Sequence, residues 1–112
     1  MEKIEYKAFE PDEHLSGILE ICRRLEWDNF RYDPDLTRKS LAAPGVTALI
    51  AVAREPGEVV GFAQVFGDGV GLQTHLSLLA VDEKWRRKGV AKSLVKKAFE
   101  RFGAERMDLA SS

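Results

Sequence analysis

Four cations stand where they should repel one another. Arg86, Arg87, Lys88 and Lys92 lie at the junction between an apolar run ending at Val81 and an amphipathic run starting near Gly89. The second run is predicted to be a helix, and its N-terminus already carries the positive end of the macrodipole. From Lys84 to Lys97 there are seven Lys or Arg and no acid, so the neighbouring sequence supplies no counter-charge. Such an arrangement calls for an anion. A strand that ends in a glycine-containing turn and feeds a helix aims several backbone N–H groups at one point, a geometry that binds phosphate. Gly89 would let the backbone approach a ligand, and Ala91 is the next smallest choice two residues on. The plain alternative, a solvated basic helix end, is unfavourable without a partner. Neither GxxxxGK[ST] nor GxGxxG occurs, which sets aside the Walker loop and the dinucleotide fingerprint.

Few other residues offer chemistry. His75 is the near-neutral titrator on the strand ending at Val81, where simple alternation places it on one side with Leu79, Ser77 and Gln73. A histidine that merely packs or hydrogen bonds in the sheet is the competing reading. His14, in the first turn of a predicted helix, reads as a surface residue. Cys22 falls on an apolar helical stripe and reads as a buried structural thiol rather than a nucleophile. Trp27, Phe30 and Tyr32 cluster in the polar stretch EWDNFRY, a loop or mobile connection. They would either wall a small-molecule pocket or pack the loop onto the sheet. Asp28, Asp33 and Asp35 beside them would attract a cationic molecule, or serve as solvated and capping groups. No metal-ligand cluster is evident.

The elements that must position these residues follow from periodicity. Glu2 to Phe9 alternates as a half-buried strand, with Ile4, Tyr6 and Ala8 on one side. Leu15, Ile18, Leu19, Cys22 and Leu25 then fall at helical spacing. Asp33 and Pro34 form an N-cap and first-turn proline opening a shorter helix that ends near Ala43. Val46 to Ala53 and Val59 to Phe66, joined by EPGE, predict a hairpin, and Leu72 to Val81 completes an antiparallel meander. The helix from Gly89 to Phe102 presents Val90, Ala91, Leu94, Val95, Ala98, Phe99 and Phe102 to the sheet. Gly103 reads as its stop. Met107 to Ala110 reads as a fifth strand, which a right-handed crossover would lay parallel to the strand ending at Val81.

A chain of 112 residues, 45% hydrophobic and 31% charged, is one globular domain, residues 1–112, with an α/β mixed sheet. Its net charge of -1 argues against general nucleic-acid or membrane-surface binding and makes the basic turn a local feature. The lone cysteine fits a reducing compartment, and MEKIEYKAFE has no signal-peptide core, so a cytoplasmic location is expected. No apolar run reaches the roughly eighteen residues that would span a bilayer.

The sequence LAV, DEKW, RRKGVAKSL closely resembles the acetyl-coenzyme A signature of the GCN5-related N-acetyltransferases (GNAT), [QR]-x-x-G-x-[GA] after a strand reading L-x-V. Arg86, Gly89 and Ala91 occupy the signature positions, and element order agrees from Ile4 to Ala110. The resemblance implies a GNAT-like acyl-CoA N-acyltransferase fold, with acetyl-CoA as co-substrate and a small-molecule or peptide amine as acceptor. It further implies that backbone amides from Arg87 to Lys92, through Lys88, Gly89, Val90 and Ala91, hold the pyrophosphate. Main-chain groups of Leu79, Ala80 and Val81 would pair with pantetheine as though it were an added strand, the thioester carbonyl facing an N–H near Val81. Direct attack requires a neutral amine, so a base or water chain must take its proton. Some family members carry a Glu or His six residues before the equivalent of Val81, which makes His75 the candidate base or relay.

The family pattern normally continues with a further helix and two more strands, a region that often carries a tyrosine protonating the departing thiolate. Here Tyr6 and Tyr32 both lie in the N-terminal third. The resemblance therefore implies a C-terminally short member: a fragment, a shortened form completed as a homodimer, or a relic that binds coenzyme A without catalysis.

Overall fold

The computed structural model describes residues 3–27, 33–43, 45–54, 57–67 and 74–111, with side chains in the last segment described for 75–102. Tyr32 and Phe30 of the aromatic stretch, Asp28 and Gln73 lie outside the described residues. The described elements are β1 (Ile4–Ala8), α1 (Pro11–Arg24), α2 (Pro34–Leu41), β2 (Val46–Ala53), β3 (Glu58–Gly67), β4 (Thr74–Val81), a short 3-10 turn (Glu83–Trp85) and α3 (Val90–Ser111). The strands form one antiparallel sheet in the order β1-β2-β3-β4: β2, β3 and β4 make the meander that alternation and turn chemistry predict, and β1 joins it beside β2.

Helices cover both faces of this sheet, so its central strands are apolar on both sides. On one face, α3 lays Val90, Leu94, Ala98 and Phe102 over Leu49, Ala51, Ala63, Val65 and Val81. Leu94 is fully buried, which is worth about 1.5–3 kcal/mol of hydrophobic stabilisation. On the other face, Ile18, Ile21 and Cys22 of α1 and Leu41 of α2 pack on Ala48, Ile50, Phe62 and Ala80. Burial pushes the Cys22 thiol up to about 11, so it is a packing residue at neutral pH. Asp33 caps α2 by accepting the Leu36 N–H at 3.0 Å, with Pro34 in the first turn.

Three expectations fail here. Ala91, expected against the sheet, is exposed at the start of α3. Met107 to Ala110 is not a strand: α3 runs through Gly103 and continues to Ser111. Ala104, Glu105, Arg106, Met107, Leu109 and Ala110 are strong helix formers, and together they outweigh the roughly 1 kcal/mol cost of one interior glycine. His14 is not at the surface. It is 3% exposed, and its Nδ1 accepts the Glu10 N–H at 2.9 Å, satisfying a donor at the start of α1 that the helix itself leaves open.

Candidate active site at the strand and turn

The sheet positions the site by ending β4 beside the start of α3. Asp82, at that end, donates its N–H to the Val60 carbonyl at 2.8 Å and accepts the Lys84 N–H at 3.2 Å. Trp85 then turns inward and is 9% exposed in the α3-side core. The Arg86 side chain folds back, its Nε donating to the Val81 carbonyl at 3.3 Å. Arg87 follows with φ of 66° and Gly89 with φ of 80°. The left-handed value at Arg87 is costly for a residue with a Cβ, about 1–2 kcal/mol, and holds only because the residues around it are fixed.

The turn delivers the chain to the N-terminus of α3, whose first four N–H groups have no partner within the helix. No acid stands in its first turn. A Cβ built on Gly89 would meet nothing within 4 Å, so the space above the turn is open. Arg86, Arg87, Lys88, Ala91 and Lys92 are exposed, whereas Val90 is buried under the sheet. Lys88 places its Nζ 5.0 Å from the centre of the Trp85 ring. The signature residues are thus brought to one place: exposed cations, left-handed backbone and helix N–H groups around an open volume. Such a place can hold a polyanion.

Alongside the turn, β4 pairs on one edge with β3, and among the described residues its other edge carries no strand. Leu79 is half-buried, and Ala80 and Val81 are buried. A cavity of about 720 Å3 opens between the end of α1 and the turn, lined by Ile21, Leu25, Arg24, Asp82, Lys84 and Arg86 among others. Trp27 does not stand free as a pocket wall. It is half-buried in the α1-side core, edge-on to Phe62 with centroids 6.2 Å apart, so the packing reading holds for it. Asp33 is spent on its cap, and Asp35 pairs with Arg38 at 2.7 Å and Lys39 at 3.0 Å, partners that hold its carboxyl below the usual range.

His75 lies on β4, but not on the side that simple alternation gives. Leu78 pairs with Gln64 while Leu76 pairs with Val65, so Ser77 is an extra residue, a β-bulge. Directly opposed residues share a face. His75 is opposite Phe66 and therefore shares the face of Gln64, Leu78 and Ala80, toward α1, whereas Leu79 faces α3. The imidazole is exposed, with its ring 5.4 Å from that of Phe66. Asp82 and Trp85, which anchor the turn, carry little sequence signal of that role: an aspartate directly after a strand is a legible cap, but its partner Arg24 is 58 residues away.

Comparison with known proteins agrees with this fold. The family model described as acetyltransferase (GNAT) family matches residues 12–111. No curated protein matches the sequence. Among solved structures, an acetyltransferase of Trypanosoma brucei superposes with TM-score 0.65 at 21% identity, covering 91% of this chain and 76% of its own. AAC(6')-Iy, solved with the bisubstrate analogue CoA-S-monomethyl-acetylneamine, gives 0.69 at 23% identity over 93% and 74%. The PaiA N-acetyltransferase of Thermoplasma acidophilum, solved with coenzyme A, gives 0.70 at 15% identity over 92% and 74%.

Proposed function

The chain belongs to the GNAT acetyltransferase family, and from that premise we propose that it is an N-acetyltransferase moving an acetyl group from acetyl-CoA to a primary amine by direct attack. The observation that carries this reading is the turn from Arg86 to Lys92, where two left-handed residues, Arg87 and Gly89, open onto an acid-free helix N-terminus. Its N–H groups and exposed cations suit a pyrophosphate. The strand-free edge of β4 beside it suits an extended pantetheine arm paired with the main chain of Leu79, Ala80 and Val81.

In this reading the neutral amine attacks the thioester carbonyl, forming the C–N bond and a tetrahedral oxyanion that a backbone N–H near Val81 stabilises. Collapse breaks the C–S bond. The ammonium proton passes to His75, directly or through water, and the thiolate leaves to take a proton from solvent. The acceptor is an amine of a small molecule or peptide; AAC(6')-Iy, bound to an acetylneamine analogue, exemplifies the small-molecule kind. No described helix is long and apolar enough to cross a membrane, and a cytoplasmic enzyme without nucleic-acid or membrane partners fits the near-neutral charge. A homodimer belongs to the same reading, with its contact away from the β4 edge that receives pantetheine, and is checked by sedimentation.

Titration of acetyl-CoA into the wild type and Gly89→Glu tests it. The wild type should bind, and the variant, which sets bulk and negative charge in the open space above the turn, should not. Absence of wild-type binding at millimolar ligand overturns the proposal. Binding without acetyl transfer to any amine in a broad panel would instead mark a coenzyme A-binding module.

A further inference from the structure

Asp82 is the joint between β4 and the turn, and its contacts reach three separate parts of the fold. Its N–H is bonded to the Val60 carbonyl of β3 at 2.8 Å. Its own carbonyl accepts the Trp85 N–H at 2.8 Å, and its carboxylate accepts the Lys84 N–H at 3.2 Å, which together wind the 3-10 turn. The second carboxylate oxygen is ion-paired and hydrogen bonded to the Arg24 guanidinium, from the last residue of α1. Arg24 is held in turn by Glu20, with Nε 3.3 Å from its carboxylate. The Asp82 side chain is 8% exposed and that of Arg24 44%.

A buried carboxylate without its cation would be costly, so the position of α1 and the position of Asp82 are tied together. Downstream, the turn must hold Arg87 and Gly89 at positive φ, and such conformations persist only where the surroundings over-determine them. Trp85, packed in the core, fixes the middle of the turn; Asp82 fixes its start. Arg24, Asp82 and Arg86 also line the same cavity, so a change at the pair is a change in the wall beside the turn.

We propose that the Arg24–Asp82 pair is a positioning device that presents the turn's N–H groups in the conformation that receives pyrophosphate, making co-substrate affinity depend on the end of α1. This rests on the acetyl-CoA reading above. Simple long-range electrostatics makes the opposite prediction for one variant: Asp82→Asn removes a negative charge near a polyanion site and should strengthen binding. Positioning predicts that it weakens binding.

The experiment is calorimetric titration of acetyl-CoA, and separately of inorganic pyrophosphate, into the wild type, Asp82→Asn, Arg24→Gln, the double variant and Arg24→Lys. It is run at a temperature where circular dichroism finds all of them folded. Each neutral single variant should weaken both ligands by about tenfold, the size expected for contacting residues that act together. The double variant should be no worse than the singles, and Arg24→Lys should recover most of the loss. Unchanged or tighter binding by Asp82→Asn, or losses that add in the double variant, overturn the proposal even while the wild type binds. A wild type that binds neither ligand sinks the acetyl-CoA reading itself.

Discussion

Phe66 and His75 face each other across β3 and β4, their ring centroids 5.4 Å apart and their planes tilted by 36°. The contact fixes the imidazole on an exposed part of the sheet face that α1 and α2 share, two residues before the bulge at Ser77. If His75 takes the ammonium proton, His75→Ala should lower turnover by roughly 100-fold. Acetyl-CoA affinity should stay unchanged, since the turn lies at the other end of β4. Steady-state rates beside a binding titration decide the matter; equal loss of both would make His75 a structural residue.

The same bulge marks where sequence reasoning reached its limit. The spacing Arg86-x-x-Gly89-x-Ala91 after a strand was legible because the turn's residue types are dictated locally: positive φ at Gly89 and cations near N–H groups. The β2-β3-β4 meander was legible from alternation and its turn residues, whereas the place of β1 beside β2 was not, because two helices separate them in sequence. Which face His75 takes was not, because one unpaired residue reverses the parity of everything before it. Trp85 stands among charged neighbours and carries no periodic signal, yet it is buried. His14 follows two acids in a first turn, but its ring is drawn inward as the acceptor for Glu10. Gly103 resembles a helix stop, but the helix formers that follow it carry α3 on to Ser111.

Backbone strain in the turn gives a paired stability prediction. Gly89, at φ of 80°, should lose about 1–2 kcal/mol when replaced by Ala, although the Cβ itself meets open space. Arg87, at φ of 66°, should behave in reverse. Arg87→Gly relieves a similar cost at the expense of roughly 0.5–1 kcal/mol of added unfolded-state freedom. Thermal denaturation should therefore find Gly89→Ala lowered and Arg87→Gly level or raised; a large loss for Arg87→Gly would show that its side chain anchors the turn.

His14 should make stability depend on pH. Burial is the main cause holding its pKa below the ordinary 6.5, against a smaller opposing pull from the Glu13 carboxylate 3.7 Å from Nε2. Protonation would also remove the lone pair that accepts the Glu10 N–H. With the folded value depressed, the unfolded chain binds the proton first. The neutral ring's contribution is therefore complete above 6.5 and is lost as pH falls below it toward the folded value. His14→Gln, which retains an acceptor but cannot titrate, should flatten the difference in denaturation midpoint between pH 7.5 and 5.5. A slope as steep as the wild type's would assign the effect to other groups.

Gly61 links packing to the site. It pairs with Val81 at the end of β4, and a Cβ there would lie 2.8 Å from the Ala80 carbonyl oxygen and 3.1 Å from Leu94 Cδ1. Leu94 has room to shift only at the expense of the α3 core, and the carbonyl belongs to backbone that cannot rotate away without breaking the β3–β4 ladder. Gly61→Ala should cost about 1–3 kcal/mol as an overpacked position. The strand end that it displaces is the one carrying Asp82 and the turn, so acetyl-CoA binding should weaken in protein that is still folded. Gly57→Ala is the control: it is also strained, at φ of 94°, but its Cβ would meet nothing within 4 Å. A comparable loss of stability in both variants, with weakened binding in Gly61→Ala alone, is the expected pattern. Equal binding by the two would mean that the turn tolerates movement of the strand that leads into it.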